Sequence, residues 1–349
     1  MDVMVRVRMR RTFFIATVIV GVMLTAAWHA RADEASPALA KFDKPVEDSI
    51  TKALDYLVKA QAKDGSFPGS PGYGAAVPSL AVMAFLAKGH TPQSGPYTET
   101  INRSIDHVLS LQREDGYFPQ QMYAHSIATL MLSEVSGMVD PNRQARIDKA
   151  LAKALRLILA AQKMAKPANQ QGGWRYGPDA KDSDISCTGW ALMALRSARN
   201  AGADIPKAAI DEAVKFVTAC KMPDGGFAYQ PGGGSGLART GTGLLCLELA
   251  GMHREKTTLD GGEWVLKNMP SKFGGSHFYY GMYYAAQGMF QLGGEYWDRF
   301  AVQMYDIMLK FQKPDGSWPA DDVPCPAYAT AMSVLAMSVT YRQLPIYQR

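Results

Sequence analysis

The chain has 349 residues, enough for one large domain or two ordinary ones, and its 47% hydrophobic content is that of a protein with a packed core. Its formal charge of +5 comes mostly from the first 32 residues, where Arg6, Arg8, Arg10, Arg11 and Arg31 stand against Asp2 alone, a net of +4. The other 32 basic and 31 acidic residues leave only +1, which argues against a nucleic-acid-binding surface.

The arginine-rich start runs into the apolar stretch FFIATVIVGVMLTAAW (residues 13–28), followed by Ala30 and Ala32 in the small-x-small pattern of a signal-peptidase site. This predicts a secretory signal over residues 1–32 and an exported chain over residues 33–349, in the periplasm or cell envelope. The alternative is an uncleaved membrane anchor, for which the run is short. Arg10 and Arg11 ahead of Thr12-Phe13-Phe14 also resemble a twin-arginine signal. Export permits disulfides. The four cysteines, Cys187, Cys220, Cys246 and Cys325, lie far apart without a CxxC pair, which predicts buried thiols or at most one bridge.

Beyond the leader, one phrase returns. Gly-x-aromatic occurs at Gly65-Ser66-Phe67, Gly116-Tyr117-Phe118, Gly172-Gly173-Trp174, Gly225-Gly226-Phe227 and Gly316-Ser317-Trp318, with a worn copy at Gly275. The steps are 51, 56, 53, 50 and 41 residues, so six units of about fifty residues fill the mature chain. Each opens with an amphipathic stretch. In VEDSITKALDYLVKAQ (residues 46–61), Ile50, Leu54, Leu57 and Val58 recur at helical spacing between charges. An Asp-Gly turn follows, where glycine accepts the backbone conformation that ends a helix. A second stretch, apolar nearly all round, closes each unit: SLAVMAFLAKG from Ser79, SIATLMLSEVSG from Ser126, TGWALMALRSARNAG from Thr188, TGTGLLCLELAG from Thr240, YYAAQGMFQLGG from Tyr283 and YATAMSVLAMS from Tyr328. Amphipathic helices belong outside and all-apolar ones inside. The last inner helix has no polar face to cap an open solenoid. The prediction is therefore an all-α protein, a closed α6/α6 toroid of six helical hairpins.

Gln followed by Asp-Gly-x-Trp/Phe resembles the repeat of squalene and terpenoid cyclases and of protein prenyltransferase β-subunits. Through MYAHSIATL, TGWALMALRSA and YRQLPIY, the chain also resembles the single-barrel, secreted prenyltransferase and squalene oxidase repeat proteins. The resemblance covers residues 45–345 and implies the α/α toroid. DSDIS, Asp182 to Ser186, resembles the D-x-D-D-T acid motif of squalene–hopene-type cyclases, which implies Asp184 as catalytic acid and Asp182 as its partner. Ile185 departs from the third acidic position, and the cyclases' second barrel is missing. Both departures count against polycyclisation. The helix-capping reading of Asp184 and Ser186 stands beside the catalytic one. The zinc set of the prenyltransferases is not matched: Asp184 and Cys187 are one residue too far apart, and Arg239 stands where a histidine is wanted.

Ring geometry brings the segments between each aromatic and the following inner helix to one rim. Those segments supply the candidate residues. His125 is the third candidate for acid–base work, as an imidazole beside Tyr123 at a helix start. Tyr123, Trp174, Tyr176, Trp190, Arg239, His277, Tyr279, Tyr280, Asp321, Asp322 and Tyr328 are the candidate ligand-binding residues, an aromatic wall with a few ionisable groups. For the aromatic run Phe278 to Tyr284, inner-helix packing is the competing reading, and for His125 it is a structural hydrogen bond near a helix end. Arg239 is suited to an anionic head group or to pairing with a rim carboxylate. No phosphate loop, HExxH or GxSxG motif occurs, so no metal or cofactor is expected. The expected partner is a hydrophobic small molecule or lipid, on a monomer free to make peripheral membrane contact. Three functions stay open: cyclase-like isoprenoid chemistry; a non-catalytic lipid-, glycan- or protein-binding module; and glycan processing by carboxylates facing across the ring, for which Asp184 and Asp322 are the candidates.

Overall fold

The computed structural model describes residues 37–69 and 74–347; the leader read over residues 1–32 lies outside them. After a short α1 (Pro37–Ala40), six long hairpins follow. The outer helices are α2 (Asp43–Ala60), α4 (Thr98–Ser110), α6 (Pro141–Gln162), α8 (Lys207–Ala219), α10 (Lys256–Asn268) and α12 (Gly294–Phe311). The inner helices are α3 (Ala76–Ala87), α5 (Met122–Glu134), α7 (Ile185–Asn200), α9 (Leu237–Leu249), α11 (Phe278–Leu292) and α13 (Pro326–Met337). Each inner helix packs on the next, and α13 packs on α3, so the ring is closed. Burial follows the sequence pattern: every residue of α3 and α5 is buried, whereas α4 buries one stripe, Thr100, Ile101, Ser104, Ile105 and Val108.

The recurring phrase is a clasp between successive outer helices. Its glutamine ends one outer helix and donates to backbone carbonyls of the next: Gln61 Nε2 to Thr100 O (2.9 Å), Gln112 to Ala150 O (2.9 Å) and Gln162 to Ala209 O (2.7 Å). Gln312 donates to Ser49 O (2.8 Å), joining the sixth hairpin to the first. In the fourth hairpin Lys221 does the equivalent work through Asp260 (2.8 Å). The aspartate bends the turn by accepting an N–H two residues on, as Asp64 does from Ser66 (3.0 Å) and Asp315 from Ser317 (3.0 Å). The glycine is required twice over. Its φ is positive, and a methyl group on Gly65, Gly172 or Gly316 would lie 2.2 Å from the carbonyl oxygen of Arg103, Glu212 or Lys52. The worn copy at Gly275 has no atom within 4 Å of that position.

The aromatic wedges inward. Phe67, Phe118, Trp174, Phe227 and Trp318 are all buried, and the two indoles donate to Ile158 O and Met308 O (both 2.8 Å). The middle of the ring is filled by aromatic side chains. Trp190 stacks on Tyr283 at 5.4 Å and meets Tyr284 edge-on, and Tyr280 and Tyr283 each lie 4.9 Å from Tyr284. At the end of the ring where the inner helices stop, a 3-10 turn, Pro345–Tyr347, crosses the opening. Tyr347 and Tyr283 share a hydroxyl hydrogen bond of 2.6 Å, and Ile346 N–H donates to buried Glu134 (3.2 Å). The four cysteines are buried and unbridged. Among the described residues no helix is long and apolar enough to cross a membrane.

Candidate functional site

At the opposite end, where the inner helices begin, a cavity of about 450 Å³ opens to solvent. It is lined from the starts of five inner helices and the segments before them: Gln121 and Tyr123 at α5, Ser186 at α7, Ala238 and Arg239 at α9, His277 and Tyr280 at α11, and Val323 and Tyr328 at α13, with Tyr176 and Tyr229 from loops. Of the sequence candidates, this brings together Tyr123, Tyr176, Arg239, His277, Tyr280 and Tyr328. The Tyr123 and Tyr328 hydroxyls are hydrogen-bonded at 3.2 Å, and the Tyr229 hydroxyl donates to that of Tyr176 (2.8 Å). The Tyr280 hydroxyl is buried without a hydrogen-bond partner among the described residues. Arg239 donates to Gly234 O (2.8 Å), and its guanidinium pairs with no carboxylate among the described residues. The rim-carboxylate pairing allowed for it is not made.

Several candidates stand elsewhere, each for a visible reason. Trp174 is the wedge of the third hairpin: its backbone N–H donates to Thr188 Oγ1 (3.0 Å) and its indole to Ile158 O, so it is not a cavity wall. Trp190 lies deeper, in the aromatic filling, edge-on to Tyr123 at 6.0 Å. Tyr279 donates to Pro319 O (2.6 Å) and packs on Phe273 and Phe278. Asp322 clasps the fifth hairpin, accepting from Ser276 Oγ (2.5 Å) and His277 N–H (2.8 Å), with His277 Nδ1 at 3.2 Å. The Ser276 hydroxyl and the His277 amide hold the Asp322 carboxyl below its usual range. Asp321 accepts from Val323 N–H (3.1 Å) and Tyr279 N–H (3.4 Å). Both acids order the rim's backbone.

His125 is corrected most sharply. It is fully buried, its Nδ1 accepts the Phe118 N–H (3.1 Å), and its Nε2 faces Ala154 O at 3.1 Å. Thr188, Thr240 and Thr330 receive the wedge N–H in other hairpins, so His125 does a threonine's work. Burial pushes its pKa down to about 4, which keeps the ring neutral. His125→Ala should cost about 2–3 kcal/mol in urea unfolding by orphaning a buried donor and acceptor. His125→Thr should recover part of that, and neither should alter binding at the rim.

Asp184 caps α7, as the capping reading has it, accepting Cys187 N–H at 2.8 Å. Its side chain is fully buried and does not line the cavity. Its second oxygen makes no hydrogen bond, with Arg175 Nη1 at 3.6 Å. Burial raises its pKa, opposed by the Cys187 amide and by Arg175. Arg175 also lies 3.5 Å from Asp182 and 5.4 and 5.2 Å from the rings of Tyr176 and Tyr229. Gln230 donates to Asp182 at 3.2 Å. Asp182, Arg175 and Asp184 thus form a charged row behind two wall tyrosines. Burial outweighs the guanidinium, so the carboxyl leans to its protonated form; what separates Asp184 from acid chemistry at the cavity is its position, fully buried and off the lining.

Sequence reasoning missed Arg175 and Tyr229. Tyr229 follows the wedge Phe227 by two residues, as Tyr176 follows Trp174, so the repeat register carries the signal. Among the described residues no group of three or more His, Cys, Asp or Glu side chains is arranged to hold a metal ion.

A closed ring of paired helices with a rim cavity defines an α/α toroid, and the comparisons place it within a family. The chain matches the prenyltransferase alpha-alpha toroid domain over residues 23–277 and belongs to that family. It is similar to drimenyl diphosphate synthase of Streptomyces showdoensis, 24% identical over 183 residues, a match covering 52% of this chain and 32% of the relative. The match thus spans about a third of that relative's length. The type II terpene cyclase MstE from Scytonema superposes with a TM-score of 0.53 at 15% identity, over 86% of this chain and 100% of the other. The α-1,6-mannanase GH76A of Salegentibacter sp. HEL1_6 gives 0.65 at 8% identity, over 85% and 99%. These two likenesses are of fold alone.

Proposed function

We propose that the protein is an exported toroid that binds an isoprenoid or similar hydrophobic molecule bearing an anionic head, in the cavity at the start of the inner helices. The observation that carries this reading is the convergence of five tyrosines, Tyr123, Tyr176, Tyr229, Tyr280 and Tyr328, with the carboxylate-free guanidinium of Arg239 around one cavity. Its volume, about 450 Å³, falls in the ordinary range for small-molecule sites, about 300–1,000 Å³. Aromatic walls suit an unsaturated hydrocarbon. The start of an α-helix carries partial positive charge, and five inner helices begin at this rim. Arg239 adds a full charge, so an anionic group at the mouth is favoured while the chain points inward. The relative's name, a diphosphate synthase, agrees with such a ligand.

Binding is preferred to cyclisation because none of the three acid–base candidates lines the cavity: Asp184 sits behind Arg175 and Tyr229, Asp182 stands in the same charged row, and His125 is buried beneath Phe118. The glycan reading draws on the mannanase neighbours, one of which is an inactive variant with two consecutive aspartates replaced. The consecutive pair here, Asp321 and Asp322, is occupied with backbone amides, and no carboxylate lines the cavity, so that reading is weaker.

Calorimetric titration with farnesyl phosphate and with farnesol tests the proposal. Farnesyl phosphate should bind more tightly. Arg239→Gln should weaken it about tenfold or more, through loss of a charge-assisted contact, and leave farnesol unchanged. Equal affinity of the two ligands, or indifference to Arg239→Gln, would remove the anionic head from the account.

A further inference from the structure

A larger cavity, about 660 Å³, lies near the other end of the ring, between the starts of α2 and α12, the end of α11 and the chain after α13. Along α11, Tyr280 at the rim cavity and Phe290 here are ten residues apart, about 15 Å of helix. The two sites are therefore separate.

The walls are aromatic: Phe42, Phe290, Trp297, Tyr305 and Tyr341. Three of these rings already carry one of the protein's own cations. Lys41 Nζ lies 4.6 Å from the Phe42 centroid, Lys88 Nζ 4.0 Å from Tyr341, and the Arg342 guanidinium 5.1 Å from Phe290. No such cation lies over Trp297 or Tyr305 among the described residues. The acids divide in the same way. Glu47 accepts from Lys88 (2.5 Å) and from the Tyr341 hydroxyl (2.7 Å), and Lys44 pairs with Asp48. That leaves Asp43 and Asp298 lining the cavity with no hydrogen bond or ion pair among the described residues. Asp43 opens α2, where the helix end favours a negative charge. Asp298 is the fifth residue of α12, beyond the first turn, so that explanation does not cover it.

We propose that this cavity binds an organic ammonium ion, with its cationic head against Trp297 and Tyr305 and with Asp43 and Asp298 as counter-charges. Aromatic faces attract cations through the ring quadrupole, and with Lys44 paired to Asp48 and Glu47 to Lys88, the two carboxylates outnumber the one other cation on the lining, Arg342, which sits on Phe290. The apolar floor, with buried Leu39, Phe42 and Val46, takes the hydrocarbon attached to the head. The inference is independent of the proposal for the rim cavity.

The test is calorimetric titration with decyltrimethylammonium, with decyl sulfate as the anion of equal chain length, both below their micelle concentrations. One saturable site for the ammonium is expected, weakened at least about tenfold in Asp43→Asn/Asp298→Asn, which removes two partly exposed charges and leaves the core intact. Trp297→Leu should weaken it as well, and Arg239→Gln should not. Binding of decyl sulfate as tight as that of the ammonium overturns the proposal, and so does ammonium binding unchanged in the double variant.

Discussion

Gly316→Ala should remove about 3–5 kcal/mol from the stability of the toroid, a loss reserved for changes the backbone cannot absorb. Gly316 has φ 91°, where a side chain is strained, and the new methyl would lie 2.2 Å from Lys52 O and 2.6 Å from Lys52 C. Those atoms belong to the backbone of α2, so relief requires moving a helix. The helix in question begins the first hairpin, and the turn belongs to the sixth: this clasp, with Gln312 on Ser49 O, holds the outer layer closed. Gly275→Ala is the matched control. Its φ is 90°, but nothing lies within 4 Å, so strain alone remains, about 1–2 kcal/mol. Urea unfolding of the two variants separates close approach from conformation. Equal losses would mean that the clasp does not hold the ring.

The second large effect is a pH dependence. Glu134 is fully buried at the end of α5, accepting from Ser197 Oγ and Ile346 N–H. Burial pushes its pKa up from 4.5 to about 7, against those hydrogen bonds. The folded state therefore binds a proton that the unfolded chain has released. Stability from this group is fully present below about pH 4.5, falls as pH rises, and is lost above about pH 7, a total of about 3 kcal/mol. His125 acts with the opposite sign: with a folded pKa of about 4 against 6.5, its neutral burial costs stability as pH falls through that window. The informative quantity is thus the difference between wild type and Glu134→Gln. The variant should lack the decline between pH 4.5 and pH 7, and the two profiles should diverge by about 3 kcal/mol across that interval. Parallel profiles would mean that burial does not raise the Glu134 pKa.

The fold was legible because its period is written in residues with local mechanical duties. The glycine must have positive φ, and in most copies an aspartate accepts the amide two residues on and a glutamine reaches the next outer helix; where these drift, as at Gln171 and Lys221, the glycine and the aromatic keep the period readable. Inner and outer helices separated by polarity alone. The rim was legible as a set of segments, since any ring gathers equivalent segments at one end. Which side chains within a segment face the cavity was not, because the loops differ in length. Trp174 looked like a wall but serves as a wedge, and Tyr229 was passed over beside its glycine run. His125 shows the limit of composition as a guide. A histidine at a helix start suggests acid–base chemistry, and only the aligned Thr188, Thr240 and Thr330 reveal that the position needs an acceptor for a wedge amide. Asp184 was legible as a cap, but its separation from the cavity depends on Arg175, which no motif marks.

Photoaffinity labelling with a benzophenone-bearing farnesyl phosphate analogue tests the central claim most directly, because it reports where the ligand sits. Cross-links are expected on peptides carrying Tyr123, Tyr176, Tyr229, Tyr280 or Tyr328, suppressed by excess farnesyl phosphate and reduced in Arg239→Gln. Cross-links confined to other surfaces, or none that competitor suppresses, would contradict it.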